Sequence, residues 1–477
     1  MQNFIIQGRM QLPLVWRRAS IFFGGMGLVA LALVEFIAPN DWYMLGLVCG
    51  TALVYAIILL YFGFRDGGKR LLTDPFLILV AAFSLYYLCG TLLLVIGPED
   101  QANYVLKWYI TTAQDALRIT AMNLIGLAVL LFAASFFNGL RIEKVVQPTI
   151  IIFNRMPTQK IFWLFFIVGF SAFLWVETTD GVVNGTIGQL SKLILIAVLV
   201  GIIYRGRNAA FLHGLAILIA LFASIMGLLS FGKLATLQPL LIFLLGLYLR
   251  LQNTKMLVVL FAIMIAALIL LSKPIGEARV LLMSSSDTSL LARFDILQQV
   301  FMTTTDDSNH GGMWSRLCYT TSQVAAVDLY EKGQGGNDVE LLGWVFLPRA
   351  IFPNKPIITR SGVEFNVKVT GFDTSSTGMG LFVSGYYNLG WLGLIFASIL
   401  AGWILAIFAA ISRSVISSSS VILLPVGLLG SFMAFRIDGH FVADYLGPFA
   451  MIIIPLLIFS FILRTGSLRT ISRASSG

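Results

Sequence analysis

The sequence predicts an all-α polytopic membrane protein of about twelve transmembrane helices, with one large helical loop late in the chain. Three observations predict it. Hydrophobic residues make up 58% of the 477 positions and charged residues only 12%, and the mean hydropathy is +0.89, a balance that a soluble domain of this size does not have. The apolar residues fall in runs of roughly 18 to 23, long enough as helices to span a hydrocarbon core of about 30 Å, whereas the alternating strands of an outer-membrane barrel are missing. Basic residues gather in every second connection between the runs.

The expected spans are 20–38, 43–64, 76–97, 116–138, 161–178, 189–204, 209–230, 234–250, 255–272, 384–412, 419–437 and 444–463. Arg9, Arg17 and Arg18 precede the first, and Arg65, Lys69 and Arg70 follow the second. Arg141, Lys144, Arg155 and Lys160 follow the fourth, Arg205 and Arg207 the sixth, Arg250 and Lys255 the eighth, and Arg413 the tenth. Arg464, Arg469 and Arg473 follow the last. Under the positive-inside rule both termini are then cytoplasmic and the long loop faces outward. The chain divides into 1–272 with nine spans, 273–383 as the outer loop, and 384–477 with three spans and a cytoplasmic tail.

The formal net charge of +9 lies mostly in these flanks, where topology and anionic lipid account for it, and no nucleic-acid signal accompanies it. The first twenty residues hold no short apolar stretch with a small-residue cleavage site, so the first span reads as an uncleaved anchor. Cys49, Cys89 and Cys318 build no disulfide framework, and no Cys or His has metal-ligand spacing. No metal or other cofactor is expected.

The outer loop is patterned rather than featureless. Residues 289–302 (SLLARFDILQQVFM) and 314–330 carry apolar side chains at helical spacing, so both read as amphipathic helices on the membrane surface or capping the bundle. Turn formers follow, in DDSNHGG, GQGGN and the Pro348, Pro353 and Pro356 set. Those prolines restrict the backbone around Arg349 and Lys355 and hold both cations in place. Further cations reach the outer face from elsewhere: Lys233 in SFGKLATL, Arg279, and Arg436 beside Asp438, His440 and Asp444 in FRIDGHFVADY. A lone arginine here is usually paired with a carboxylate or a lipid phosphate. Convergence from separate parts of the chain is what marks these as a candidate anion pocket.

The phrase LPRAIFPNKP, followed by a Gly, a Glu and then GLFVSGYYNLGWLG at the return to the membrane, resembles the Wzy-type polymerases of bacterial O-antigen, enterobacterial common antigen and exopolysaccharide repeat units. So does the plan of about a dozen spans with one large late loop. SFGKLATL is similar to the Ser-Arg-Gly helix start of the related O-antigen ligases, but Lys233 stands where that group has arginine, which favours polymerase over ligase. The resemblance implies a GT-C-like, multi-span glycosyltransferase of the bacterial inner membrane, in lipopolysaccharide or exopolysaccharide biosynthesis. One undecaprenyl diphosphate-linked glycan would donate its sugar to a second lipid-linked repeat unit, with inversion and without a metal. A chain-length regulator and a flippase are the partners the family implies.

The residue types suit that chemistry. A leaving diphosphate gains negative charge in the transition state, and arginine forks bind its oxygens in pairs. Arg349, Lys355 and Arg360 are the first candidates, with Lys233, Arg279 and Arg436 to complete the pocket. The attacking sugar hydroxyl must lose a proton to a carboxylate or histidine. Glu364, one helical turn after Arg360, and His440 beside Asp438 are the candidate bases, with Asp438 as the third catalytic candidate. Trp344, Tyr386 and Tyr387 are candidates to stack on sugar faces, although interfacial aromatic belts are usual in such proteins. The rivals are a ligase with another acceptor and a polysaccharide flippase or transporter. The transporter predicts broken helices and charge at mid-depth in the bundle.

Overall fold

The computed structural model describes residues 12–67, 74–137, 142–154, 157–178, 190–231, 233–251, 253–284, 289–302, 314–347, 352, 354–371, 376–418, 420–458 and 460–461. Among the described residues every regular element is helical and no strand occurs. Among those residues eight helices are long and apolar enough to cross a membrane: Leu14–Phe36, Tyr43–Gly63, Pro75–Ile96, Ala113–Phe137, Thr158–Val176, Ala209–Leu229, Leu381–Ser417 and Phe441–Ile458. Leu193–Ile203, Ala235–Leu251 and Leu424–Phe435 are apolar but shorter, and the ninth expected span falls within the helix Thr254–Ser284. The protein is thus an all-α polytopic membrane protein, with eight helices meeting the length criterion where twelve spans were expected.

The chain forms two compact units, one of residues 1–151 with 311–477, the other of residues 152–310. In the first, α1 (Leu12–Leu33), α2 (Tyr43–Gly67), α3 (Pro75–Ile96) and α4 (Glu99–Trp108) lead to α5 (Ala113–Phe137). Most of helix α5 is buried, with only Phe132 and Phe136 among its large apolar side chains exposed, because its small residues admit close neighbours. Gly27 of α1 sits so near it that a Cβ there would lie 3.1 Å from Ala121 O, and Gly126 faces Phe382. After α6 (Ile142–Asn154), the second unit runs through α7 (Thr158–Thr178), α8 (Leu193–Ile203), α9 (Ala209–Leu229), α10 (Lys233–Leu251), α11 (Thr254–Ser284) and α12 (Leu290–Met302). The first amphipathic loop segment is α12, whose Leu297 and Val300 pack on Phe231, Ile275 and Ala278.

The remaining loop folds onto the first unit as α13 (Thr320–Glu331), α14 (Asp338–Val345) and α15 (Ser361–Thr370). Helix α13 is held by polar contacts inside the bundle: Thr320 Oγ1 meets Thr91 Oγ1 at 2.5 Å, and Asn123 of α5 donates to Gln323, which donates to Met379 O. The chain then forms α16 (Leu381–Ser417), α17 (Leu424–Phe435) and α18 (Phe441–Ile458). Helix α16 is two helices joined at Leu389 and Gly390, whose φ of −142° and +62° are not helical. The two limbs fold back on each other so closely that a Cβ on Gly393 would lie 2.1 Å from Gly385 O. The phrase YYNLGWLG therefore builds a helical reversal, since only glycine permits such a backbone approach and, at Gly390, that φ.

Candidate functional site

The site begins at the turn between α17 and α18. Helix α17 has 12 residues, about 18 Å at 1.5 Å per residue, too short to cross a bilayer. Its end packs against the middle of α3: Phe435 meets Tyr86 edge-on, and Tyr87 Oη donates to Ile437 O. The turn carrying Arg436, Asp438 and His440 thus sits level with the centre of a spanning helix. The descending strand-like segment before α16 fixes it, with Gly380 N–H donating to Asp438 O (3.1 Å) and Leu381 N–H to Ile437 O (2.8 Å). Gly378 is required there, because a Cβ would lie 2.4 Å from Asp438 O.

Within the turn the charges are organised. Asp444 joins two neighbours, accepting from Arg436 Nη2 (3.1 Å) with one oxygen and from His440 N–H (2.8 Å) with the other. It stands one turn inside α18, bonding back to the N–H of His440, the residue at the cap position. Asp438 accepts from Tyr319 Oη at 3.0 Å, and burial pushes its carboxyl above the ordinary range against the pull of Tyr319 and Arg436. Burial, reinforced by Asp438, drives the Tyr319 hydroxyl well upward as well.

The sign of the Asp438 effect predicts a measurable result. A carboxyl raised in the folded state favours folding at low pH and loses that contribution as pH rises through its folded value. Asp438→Asn is therefore expected to melt at a higher temperature than wild type at neutral pH. The gap should close as pH falls toward 3.8, the ordinary value; equal melting at all pH values would contradict it.

His440 is 7% exposed. Its Nε2 lies 3.2 Å from Thr377 O. A carbonyl only accepts, so Nε2 carries the hydrogen and Nδ1 is the acceptor; that Nδ1 is buried without a hydrogen-bond partner. The ring rests on Gly362, where a Cβ would stand 2.7 Å from Nε2 and 2.3 Å from Ser376 Oγ. On the other face of this segment opens a cavity of about 300 Å³ lined by Asp338, Glu340, Pro356, Arg360, Ser361 and Glu364, among others. Asp338 is buried there, accepting from Ser361 Oγ and from Asn388 Nδ2 (3.2 Å). Arg360 Nε and Glu364 Oε1 are 3.9 Å apart, both side chains 66% exposed, as the one-turn spacing predicts.

The other sequence candidates fall elsewhere. Lys355 donates to Leu347 O (2.9 Å) and Val345 O, tying down the proline-rich turn. Arg349 lies outside the described residues. Lys233 opens α10 and Arg279 lies on α11, both in the second unit, and their side chains are outside the described ones. Trp344 is half-buried, edge-on to Phe352. Tyr386 and Tyr387 are each 4% exposed, with Tyr386 against Tyr330 and Trp391, and Tyr387 against Phe365. In this conformation their rings are covered by protein.

Sequence reasoning passed over Tyr319, Asp338, Gly362 and Thr377. The one signal available was polar residues in otherwise apolar helix starts, as at Thr320–Gln323. Arg118, paired with Glu331 and 3.5 Å from Tyr386 Oη, was also unmarked.

Fold and site together define a polytopic helical membrane protein with an ionisable turn against the middle of α3 and a polar cavity beside it. Comparisons with models of protein families, with curated proteins and with solved structures find no match to this chain.

Proposed function

We propose that this protein is a glycosyltransferase that polymerises polyprenyl diphosphate-linked oligosaccharide repeat units at the outer face of the bacterial inner membrane. The supporting observation is the Arg360–Glu364 cavity backed, through Gly362, by His440. Three carboxylates and one arginine line it, a surplus of acceptors that suits the hydroxyls of an acceptor sugar. In this reading Glu364 takes the proton of the attacking hydroxyl as the oxygen bonds to the donor's anomeric carbon. The bond to the diphosphate breaks with inversion, and the leaving oxygens are met by cations, with Arg349, Arg360 and Arg436 in that role. Both termini are cytoplasmic and the loop is periplasmic.

The test incubates purified protein with lipid-linked repeat units and looks for a ladder of longer glycans. Arg349→Ala and Arg360→Ala are each expected to abolish the ladder while the protein remains folded and inserted. Unchanged product length in both would remove these two residues from the site.

One observation favours a second reading, a flippase or transporter for the same lipid-linked glycan. The broken α16, the short α17 and the charges level with the centre of α3 are the features a transporter predicts. Transbilayer movement of the lipid-linked glycan without any ladder would select it.

A further inference from the structure

In the second unit, the ends of α8 and α10 and the start of α9 bring together Arg205, Arg207, Arg250 and His213. These side chains form a closed circuit with the backbone. His213 Nε2 lies 2.9 Å from Tyr204 O, so it donates there. Arg250 Nη1 stands against the ring, 2.8 Å from Nε2 and 2.9 Å from Nδ1, of which only the hydrogen-free Nδ1 can accept, and Arg205 Nη2 donates to Arg250 O at 2.5 Å. The guanidiniums of Arg205 and Arg250 are thereby each anchored through one nitrogen, and their other N–H groups have no partner among the described residues.

Among the described residues no carboxylate answers this charge. From residue 181 to residue 276 the sequence contains no Asp or Glu at all, and none of the three arginines makes an ion pair with a described residue. A basic flank alone explains cations at a helix end, and helix C-termini attract them. Neither explains why one guanidinium is held by a backbone carbonyl and the next by a histidine ring in one small corner, where their mutual repulsion is unfavourable without a counter-anion. Beside them the large apolar side chains of Phe211 and Leu251 are exposed. Cations adjoining bare apolar surface match a phosphate that carries acyl chains better than a free ion.

We propose that Arg205, Arg207 and Arg250, braced by His213, form a binding site for the phosphodiester headgroup of an anionic membrane phospholipid, its chains lying along Phe211 and Leu251. The site is separate from the ionisable turn and does not rest on the glycosyltransferase reading.

The test uses the full-length protein purified from phosphatidylcholine discs doped with phosphatidylglycerol, with retained lipid counted by intact-complex mass spectrometry. Wild type is expected to retain phosphatidylglycerol over phosphatidylcholine, and binding should weaken about fivefold for each cation removed. Arg207→Gln is the cleanest variant, because its side chain makes no hydrogen bond or ion pair among the described residues, and Arg207→Lys should restore most of the loss. Arg205→Gln and Arg250→Gln are read beside a thermal melt, which separates lost binding from lost folding. Equal retention of both lipids by wild type, or no change in Arg207→Gln, overturns the proposal. So does complete displacement of the lipid by millimolar inorganic phosphate, which would make this a free-phosphate site.

Discussion

Glu364→Gln is expected to stop chain growth, lowering turnover by about 10²- to 10⁴-fold, the usual worth of a positioned general base, while the protein stays folded and still binds the donor lipid. Its structural cost should be small. The side chain is two-thirds exposed and its contact with Arg360 is 3.9 Å long, and exposed pairs of this kind contribute at most about 0.5 kcal/mol. A large kinetic loss with an unchanged melt therefore separates a base from a solvated ion pair. Normal turnover would reduce Glu364 to that pair and transfer the role to His440. His440→Ala is harder to read alone. The ring is buried against Gly362 and Thr377 O, so its removal also leaves a hole, and turnover must be compared at equal amounts of folded protein.

Gly393→Ala is expected to have the largest structural effect, destabilising by ~3 kcal/mol, at the upper end of what overpacking costs. The clash is with backbone: the new Cβ would stand 2.1 Å from Gly385 O and 2.9 Å from Gly385 C. No rotamer change relieves that, so the two limbs of α16 must separate. Separation would disturb Asn388, which accepts from Asp338 N–H at 2.7 Å and donates to its carboxylate, and so the cavity wall. A thermal melt followed by tryptophan fluorescence measures the effect, since Trp391 lies within the reversal. Gly343→Ala in α14 is the control, because a Cβ there meets nothing within 4 Å. Equal melting of the two variants would show that the limbs are not in close contact.

These predictions differ in how far the sequence anticipated them. The Arg360–Glu364 pairing was legible, because residues one turn apart share a helix face whatever the rest of the chain does. The ionisable cluster in FRIDGHFVADY was legible as a cluster, but its level in the bundle was not. An apolar run reads the same whether its helix has 12 residues or twenty; α17 ends at Phe435 with the Arg436 N–H capping it, and the carbonyls that follow, Ile437 O and Asp438 O, are taken by the segment entering α16. Gly385 and Gly393 lie in the phrase GLFVSGYYNLGWLG, but nothing in it indicates that the helices they join are two limbs of one kinked helix.

By itself the sequence determined the all-α membrane class, where the long apolar helices fall and the residues that carry charge. Each of these follows from local hydropathy and composition, which the chain has whether or not it is folded. Only the tertiary structure decided that the turn after α17 faces the middle of α3, that Gly362 brings His440 up behind the Arg360–Glu364 cavity, and that Arg205, Arg250 and His213 brace one another. Most of those pairings join residues far apart in the chain, and the one at Gly362 depends on an approach so close that a Cβ would stand 2.7 Å from His440 Nε2, which glycine allows but does not announce.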